Sequence, residues 1–274
     1  MARVWFITGT SRGLGRALVQ AVLESGDIVI ATARSPASLE PVVTKYGSSR
    51  IHTAALDVTD YDAIVRVVQE SQQVFGRIDV VVNNAGYAET SPLETVTVDS
   101  FKQQVDTNFF GTVWVTKAVI PIMRDQGSGR ILQVSSVGSR IGTPGLAAYQ
   151  SAKWAVAGLT TALASEVAPF GIKLTSLEPG GIKTDWAGSS MGLGDVTEPY
   201  QATIGEFLKL RDMIVQHSTP PEKIAAAIVA ISNVDDPPLR LLLGPETPGY
   251  AKAAAQRQAE SDAKWETLTT TLAL

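Results

Sequence analysis

The chain has no cysteine and only two histidines, His52 and His217, among its 274 residues. Without cysteine it can form no disulfide, no thiolate nucleophile and no cysteine-ligated zinc site. Two histidines also argue against a histidine-based metal centre and against a Ser-His-Asp triad. We therefore expect no bound metal and a reaction that does not use a thiol.

Long apolar runs and an excess of basic residues are also missing. No apolar stretch reaches the length of about 20 residues that spans a bilayer, and the start, MARVWFITGT, lacks an apolar signal core with a small-residue cleavage site. We therefore expect a cytoplasmic protein with no membrane partner. Lysine and arginine total 23 against 27 aspartates and glutamates, a net charge of −4, which argues against nucleic acid as a main partner.

What the chain does contain is a regular alternation of short apolar, β-branched segments with segments of helical spacing. The apolar segments lack strict polar–apolar alternation, as expected of strands covered on both faces. Such alternation predicts an α/β fold with a doubly wound parallel sheet and helices on both faces. The predicted strands are 3–7, 28–33, 51–55, 78–82, 130–134, 172–177 and 239–243, and the predicted helices are 13–25, 61–75, 99–124, 148–168 and 221–232.

Two later segments depart from this pattern. Residues 183–219 begin with a stretch rich in Gly, Ser and Asp, followed by a weak amphipathic segment at 200–215. A long insertion in a compact domain is commonly a lid or binding loop, so we expect a substrate lid here and an exposed helix at 250–266. No linker interrupts the alternation before residue 180, which predicts one domain over 1–274. The apolar residues of the insertion could line a substrate pocket or pack the lid down: Trp186, Met191, Leu193, Phe207 and Leu210.

The stretch TGTSRGLG, residues 8–15, places Gly9, Gly13 and Gly15 between the first strand and the first helix. A glycine-rich turn at this point lets a pyrophosphate approach backbone N–H groups at a helix N-terminus. The spacing differs from the G-x-G-x-x-G dinucleotide fingerprint, and the alternative is a tight turn without a ligand. The position between strand and helix favours a nucleotide site.

The end of the second strand bears on which dinucleotide is bound. An Asp or Glu there would bind the adenosine ribose hydroxyls of NAD, but ATAR ends in Arg34, and Arg12 lies inside the glycine turn. Two guanidinium groups that converge on a ribose 2′-phosphate favour NADP(H). The alternative is that both arginines are solvated surface residues.

Polar residues also follow the third and fourth strands. Asp57, in ALDV after the third strand, could accept a hydrogen bond from an adenine amino group, or it could be a helix N-cap or turn residue. VVVNNAG brings Asn84 and Gly86 to the carboxyl edge of the sheet, where cofactors bind in this type of fold.

Tyr149 and Lys153 in AYQSAKWA are four residues apart on a predicted helix, so their side chains share one face. A free tyrosine has a pKa of about 10, and a nearby ammonium group would lower it towards the range of a catalytic acid or base. Ser135 and Ser136 end the fifth strand at the same edge. A hydroxyl there could hydrogen-bond a substrate oxygen while the tyrosine transfers a proton.

The motifs T-G-x-x-x-G-x-G, N-N-A-G and Y-x-x-x-K, in order over about residues 3–184, resemble the single-domain branch of the short-chain dehydrogenase/reductase family. TDWAG and LRLLLG are similar to its hydroxysteroid/retinol dehydrogenase-like branch. The resemblance implies a Rossmann-type fold in which Tyr149 is the general acid/base and Lys153 lowers its pKa and holds the nicotinamide ribose. Ser136, with Ser135 as the alternative, would polarise the carbonyl. Asn108 would kink a helix and support a water-mediated proton relay to the lysine.

The residues that would contact the cofactor come from the same motifs and from EPGGIKT at 178–184. They are Gly9, Ser11, Arg12, Gly13, Leu14, Gly15, Arg34, Asp57, Val58, Asn84, Ala85, Gly86, Tyr149, Lys153, Pro179, Gly180, Ile182 and Thr184.

The chain is thus expected to be an NADP(H)-dependent oxidoreductase that interconverts a ketone or aldehyde and an alcohol. The resemblance further implies a small-molecule carbonyl or alcohol substrate, apolar compounds included. It also implies assembly as a homodimer or homotetramer. One alternative is a non-catalytic NADP(H) sensor, which would have no use for Ser136, Asn108, Tyr149 and Lys153 together. The other is an extended-type sugar-nucleotide epimerase or dehydratase, against which the glycine spacing and the lack of a sizeable C-terminal substrate domain count.

Overall fold

The computed structural model of the chain describes residues 2–184, 191–216 and 218–271. Strands and helices alternate along these residues. The strands are β1 Val4–Thr8, β2 Ile28–Ala33, β3 Ile51–Ala55, β4 Val80–Asn83, β5 Ala88–Thr90, β6 Gly129–Val134, β7 Ile172–Pro179, β8 Met191–Leu193 and β9 Arg240–Leu243. The helices are α1 Gly13–Glu24, α2 Glu40–Tyr46, α3 Tyr61–Phe75, α4 Val98–Val105, α5 Gly111–Gln126, α6 Ala147–Val167, α7 Glu206–Gln216, α8 Pro221–Ser232 and α9 Thr247–Thr270.

Seven strands form a parallel sheet in the order β3-β2-β1-β4-β6-β7-β9. From β1 the chain winds outward through β2 and β3, and it then returns to β4 on the opposite side of β1. The winding direction therefore reverses between β1 and β4. In open α/β sheets, ligands bind in the crevice outside the carboxyl ends of the strands at such a reversal.

Both faces of the sheet are covered by helices, and the side chains of β1 show how. Trp5 and Ile7 pack with α1 and α8 on one face, whereas Val4 and Phe6 pack with α3, α5 and α6 on the other. All four are at most 2% exposed. Burial on both sides explains why the strands are apolar without alternation, and the predicted doubly wound α/β fold is confirmed.

The seven sheet strands lie within about two residues of their predicted positions, but three features were not predicted. Helix α2 was missed, and so was the small parallel sheet in which β5 pairs with β8. The single helix predicted at 99–124 is α4 and α5 joined by a π-helical turn, Asp106–Phe110. Asn108 lies in this turn, which accounts for the helix irregularity expected there.

The insertion at 183–219 is partly regular. After β8 come a 3₁₀ turn at Glu198–Tyr200, a π-helical turn at Gln201–Gly205 and then α7. Trp186 lies outside the described residues. The C-terminal helix is longer than predicted, and only Thr247 and Ala251 in it are buried. Within the part of the chain that the structure describes, no helix is both long and apolar enough to cross a membrane.

Candidate active site

A cleft of about 850 Å³ opens at the carboxyl edge of the sheet, at the reversal between β1 and β4. Its walls come from the glycine turn after β1, from the ends of β2, β3, β4, β6 and β7, and from α6. Every residue that the sequence predicts to bind the cofactor or to take part in the chemistry lines this one cleft. These residues are Gly9, Ser11, Arg12, Gly13, Leu14, Gly15, Arg34, Asp57, Val58, Asn84, Ala85, Gly86, Asn108, Ser136, Tyr149, Lys153, Pro179, Gly180, Ile182 and Thr184.

The glycine turn brings two backbone segments closer together than side chains would allow. Gly9 has a φ of +70° and Gly13 a φ of +55°, in the left-handed region that favours glycine. A Cβ on Gly9 would lie 2.8 Å from the Cα of Ala85, and a Cβ on Gly15 would lie 2.3 Å from the Gly9 carbonyl oxygen. Helix α1 begins at Gly13, so its N-terminus borders the space that these glycines leave open. That geometry fits a dinucleotide pyrophosphate.

Asn84 fixes this turn. Its Nδ2 donates to the carbonyl oxygens of Thr8 and Gly9 at 2.9 and 3.1 Å. In the other direction, the Thr8 hydroxyl accepts the backbone N–H groups of Asn84 and Ala85, both at 3.0 Å. The Asn84 side chain therefore holds the β1 turn against the end of β4, although the residue also lines the cleft as expected.

Arg12 and Arg34 lie at the mouth of the cleft, and both are exposed. Arg12 immediately precedes α1, and Arg34 follows directly after β2. Arg34 is close enough to Tyr87, another cleft residue, to lower the pKa of the Tyr87 hydroxyl. Burial has the larger effect, so the pKa of Tyr87 is raised. The cleft entrance thus carries positive charge where the predicted 2′-phosphate would lie.

Asp57 lies exposed on the lip of the cleft and is engaged in a local turn. Its Oδ1 accepts hydrogen bonds from the backbone N–H and the hydroxyl of Thr59, at 2.9 and 2.8 Å. The N-cap of α3 is instead Asp60, whose side chain accepts the N–H of Ala63 at 2.9 Å. Of the two alternatives for Asp57, the turn residue is therefore present in the structure, and an adenine contact remains a prediction.

Ser136 and Tyr149 bring two hydroxyl groups together at the inner end of the cleft. They are hydrogen-bonded to each other, and the Ser136 Oγ also accepts the backbone N–H of Gly138 at 3.0 Å. Ser135 takes a different direction, since its hydroxyl donates to the Lys153 carbonyl oxygen at 3.1 Å. Of the two serines at the end of β6, Ser136 is the one that faces the tyrosine.

Burial dominates the electrostatics of Tyr149 and Lys153. It raises the pKa of Tyr149 to about 12, and the hydrogen bond from Ser136 offsets only part of this rise. Burial also lowers the pKa of Lys153 to about 8. The lysine Nζ donates to the Val134 carbonyl oxygen at 2.8 Å and lies 5.6 Å from the centroid of the Tyr149 ring. Burial therefore keeps the pKa of Tyr149 above its ordinary value in this structure, because desolvation of the phenolate outweighs its partners, and the lowering of this pKa by Lys153 remains a prediction.

Asn108 borders the same end of the cleft from the π-helical turn. Its Nδ2 donates to the carbonyl oxygens of Tyr87 and Gln104, both at 2.8 Å. Its Oδ1 is buried and has no hydrogen-bond partner among the described residues. A Cβ on Gly86 would lie 2.5 Å from this oxygen and 3.5 Å from the Lys153 Nζ. Gly86 therefore keeps the approach between the amide and the lysine open.

The far wall of the cleft follows β7. The Gly180 N–H donates to the Leu243 carbonyl oxygen at 2.9 Å, and the Gly181 N–H donates to Glu246 Oε1 at 2.9 Å. A Cβ on Gly180 would lie 1.9 Å from that same oxygen. Sequence reasoning missed Glu246; its position just after the last strand, at the carboxyl edge, is the signal that could have found it.

Comparison with known proteins decides the family. The family model described as short chain dehydrogenase matches residues 3–191. The chain belongs to the short-chain dehydrogenase family. This short-chain dehydrogenase is 55% identical over 269 residues to oxidoreductase BOA17 of Botryotinia fuckeliana, with 98% of each chain covered. It is also 33% identical over 246 residues to a 3-ketodihydrosphingosine reductase of Bacteroides thetaiotaomicron, with 89% of this chain and 88% of the relative covered.

Solved structures agree with this assignment. A short-chain dehydrogenase from Streptomyces avermitilis superposes with a TM-score of 0.93 at 33% identity, covering 99% of this chain and 98% of its own. ElxO with NADP bound has a TM-score of 0.76 at 27% identity, with 91% and 100% covered. A 3-ketoacyl-(acyl-carrier-protein) reductase from Brucella melitensis in complex with NADH has a TM-score of 0.73 at 25% identity, with 88% and 96% covered. The resemblance seen in the motifs is confirmed: this short-chain dehydrogenase is an oxidoreductase of a family that binds nicotinamide cofactors.

Proposed function

We propose that the protein interconverts a ketone or aldehyde and an alcohol with NADP(H), and that Tyr149 is the general acid/base. The observation that carries the proposal is the hydrogen-bonded pair of Ser136 and Tyr149, with Lys153 beside it, at the inner end of a cleft whose outer end is the glycine turn. The pair can orient a substrate oxygen and exchange a proton with it.

The chain's own residues would hold the cofactor along the cleft. The glycine turn and the N-terminus of α1 suit the pyrophosphate, and Gly86, Pro179, Gly180 and Ile182 line the same cleft as Tyr149. When bound, a nicotinamide cofactor supplies or accepts the hydride. One structural relative is an NADP complex and another is an NADH complex. Arg12 and Arg34 support NADP(H), because bidentate guanidinium groups match phosphate oxygens.

The protonation states suit carbonyl reduction. With a pKa raised to about 12 by burial, the Tyr149 phenol is neutral at pH 7 and can give its proton to a carbonyl oxygen that gains negative charge. The Ser136 hydroxyl can donate a hydrogen bond to the same oxygen, which stabilises that charge in a site shielded from water. Lys153, whose pKa is about 8, is mostly an ammonium at pH 7 and favours the phenolate that the tyrosine leaves.

The surroundings of the tyrosine support an apolar small-molecule substrate. Tyr149 packs with Ala88 and Leu146, both buried, and with Phe207 of α7. These apolar groups come from β5, from the residue before α6 and from the insertion, so three separate parts of the chain form the apolar cluster that contains the tyrosine. The name of the Bacteroides relative, a 3-ketodihydrosphingosine reductase, makes long-chain β-keto compounds worth including among the test substrates.

Tyr149→Phe tests the proposal. A positioned proton donor typically contributes about 10²–10⁴-fold to the rate, so we expect kcat to fall by about that factor while the NADPH dissociation constant stays within about twofold. Turnover is followed as NADPH consumption across steroid, retinoid, aromatic and β-ketoacyl carbonyl compounds, and NADPH binding is measured by fluorescence titration.

Tyr250→Phe is the matched control, because Tyr250 lies exposed on α9, outside the cleft, and this variant should keep full activity. If Tyr149→Phe retained most of the wild-type rate on a substrate that the wild type turns over, the assigned chemistry would be wrong.

A further inference from the structure

One acidic side chain outside the cleft is completely buried. Glu178, the residue before Pro179 in β7, is 0% exposed. Its carboxylate binds two guanidinium groups: Arg140 Nε lies 2.5 Å from Oε2, and Arg240 Nε is hydrogen-bonded to Oε1. A buried carboxylate is costly unless it is paired and hydrogen-bonded, so these three residues form a specific ion triad.

The ion triad is linked to the catalytic serine through Ser139, which is also fully buried. Arg240 Nη2 donates to the Ser139 hydroxyl at 3.1 Å, and that hydroxyl donates to the Ser136 carbonyl oxygen at 2.7 Å. The Ser139 backbone N–H donates to the same carbonyl oxygen at 2.9 Å. The short 3₁₀ turn Val137–Ser139 after Ser136 is thus held at its far end by the triad.

The same turn orients the Ser136 hydroxyl. The Gly138 N–H donates to the Ser136 Oγ at 3.0 Å, which occupies one lone pair of that oxygen and directs its own O–H towards Tyr149. If Ser139 moves, the position of the Gly138 N–H and the direction of the serine hydroxyl both change. Glu178 connects two parts of the site, because it contacts Ser139 of the turn and Arg240 and directly precedes Pro179 and Gly180, which line the cleft.

We propose that Glu178 is a positioning residue for the reaction: with Arg140 and Arg240 it fixes the Ser136–Ser139 turn, so that the Ser136 hydroxyl stays hydrogen-bonded to Tyr149. This role rests on the proposed function. Stability alone does not account for a buried ion triad, because replacing such a group by well-packed apolar residues is often neutral or stabilising. The position of the triad directly behind the serine turn gives it a role in geometry.

Glu178→Gln keeps the shape of the side chain and removes its charge. A misplacement of about 1 Å in a catalytic group can cost about 100-fold in rate, so we expect kcat to fall by about 10–100-fold. KM and the NADPH dissociation constant should stay within about twofold, since the cleft walls remain in place.

The hydrogen bond from Ser136 lowers the pKa of Tyr149, so its loss should raise that pKa. The pH dependence of kcat for alcohol oxidation, which requires the phenolate, should then shift to higher pH.

Ser139→Ala provides the second variant, because it removes the hydroxyl that joins Arg240 to the Ser136 carbonyl oxygen and keeps both ion pairs of Glu178. It should lower kcat in the same direction, and the double variant should lose less than the product of the two single losses, because both changes act through one chain of contacts. Ser139→Ala also carries the test if Glu178→Gln does not fold.

Asp27→Asn is the matched control. Asp27 is a nearly buried carboxylate, 13% exposed, paired with Arg3 at 3.0 Å, and it lies just before β2 at the amino edge of the sheet. This variant should lose stability in urea unfolding and keep its kcat.

Kcat values within twofold of wild type for both Glu178→Gln and Ser139→Ala, or losses that multiply in the double variant, would overturn the positioning role alone. A wild-type protein that turns over no carbonyl or alcohol would overturn the proposed function and this role with it.

Discussion

Arg34 directly follows β2 at the cleft mouth, with Ala33 and Ser35 as its neighbours in the chain. Charge-assisted hydrogen bonds are worth about 1.5–3 kcal/mol. We therefore expect Arg34→Ala to raise the NADPH dissociation constant by about 10–100-fold and to leave the NADH dissociation constant within about twofold. Fluorescence titration of both cofactors measures this directly.

Arg16→Ala is the control for the loss of a nearby arginine, because Arg16 donates to the Ser38 carbonyl oxygen at 2.5 Å and is not among the residues that line the cleft. Equal weakening of NADPH and NADH binding by Arg34→Ala, or tighter binding of NADH to the wild type, would contradict the proposed cofactor preference.

For individual residues, the sequence predicted which side chains lie together in the cleft but not the direction of their pKa shifts. Tyr149, Lys153 and Ser136 were identifiable because strand ends and a four-residue helical spacing bring them to one edge. The direction of the Tyr149 pKa shift was not, because it depends on complete burial by residues distant in the chain. The ion triad was missed for a similar reason: Glu178 is 38 residues from Arg140 and 62 from Arg240.

The glycine turn is an element whose function depends on the absence of side chains. A Cβ on Gly15 would lie 2.3 Å from the Gly9 carbonyl oxygen and 2.6 Å from Asn84 Nδ2, so Gly15→Ala must displace the turn. We expect it to destabilise the fold by about 1–3 kcal/mol, the usual cost of overpacking, and to weaken NADPH binding. Urea unfolding and fluorescence titration give the two quantities.

The same substitution in helix α6 should act in the opposite direction. A Cβ on Gly158 would meet no atom within 4 Å, and alanine is favoured over glycine in a helix by about 0.5–1 kcal/mol. Gly158→Ala is therefore expected to stabilise the protein by about that amount with unchanged cofactor binding. If Gly15→Ala and Gly158→Ala had similar effects, steric contact in the turn would not be the reason that position 15 requires glycine.

Elements were predictable where they were long and covered on both faces, and they were missed where they were short. The two strands of the small sheet have three residues each, too few to show a period, and their partners lie about 100 residues apart in the chain. The π-helical turn has the composition of an ordinary helix, so the sequence indicates it only through Asn108, which the family resemblance marks as a helix kink.

For the molecule as a whole, helix α9 has little support from the core, since Thr247 and Ala251 are its buried residues. Its residues from 257 onward are exposed as far as the structure describes them. A chain that stops after Gln256 should therefore change the free energy of unfolding by no more than about 1 kcal/mol. Leu243→Ala, which removes a buried side chain of β9 that is 8% exposed, should cost about 2–5 kcal/mol. Urea unfolding compares the two variants.

The family resemblance also predicts assembly as a homodimer or homotetramer. An aromatic cluster on the outer side of α3 and α5 offers a contact surface: Phe110 stacks on Trp114 at 5.7 Å, and Tyr61 meets Trp114 edge-on at 5.6 Å. Tyr61 and Phe110 are each 38% exposed. The shortened chain should keep the mass of an oligomer in light scattering. Dissociation on truncation would place the contact on α9.

The pairing of β5 with β8 has a consequence for protein engineering. The insertion is joined by strand pairing to residues 88–90, which follow the N-N-A-G segment after one residue, and Tyr200 of the insertion also donates to Glu94 Oε2 at 2.6 Å. The paired segment is therefore made of two stretches that are far apart in sequence, roughly 87–95 and 191–205, and each contributes one residue to the cleft lining, Tyr87 and Gly192. A chimera designed to transfer substrate preference between relatives must exchange both stretches together, because replacing one alone leaves the other with an unmatched strand edge.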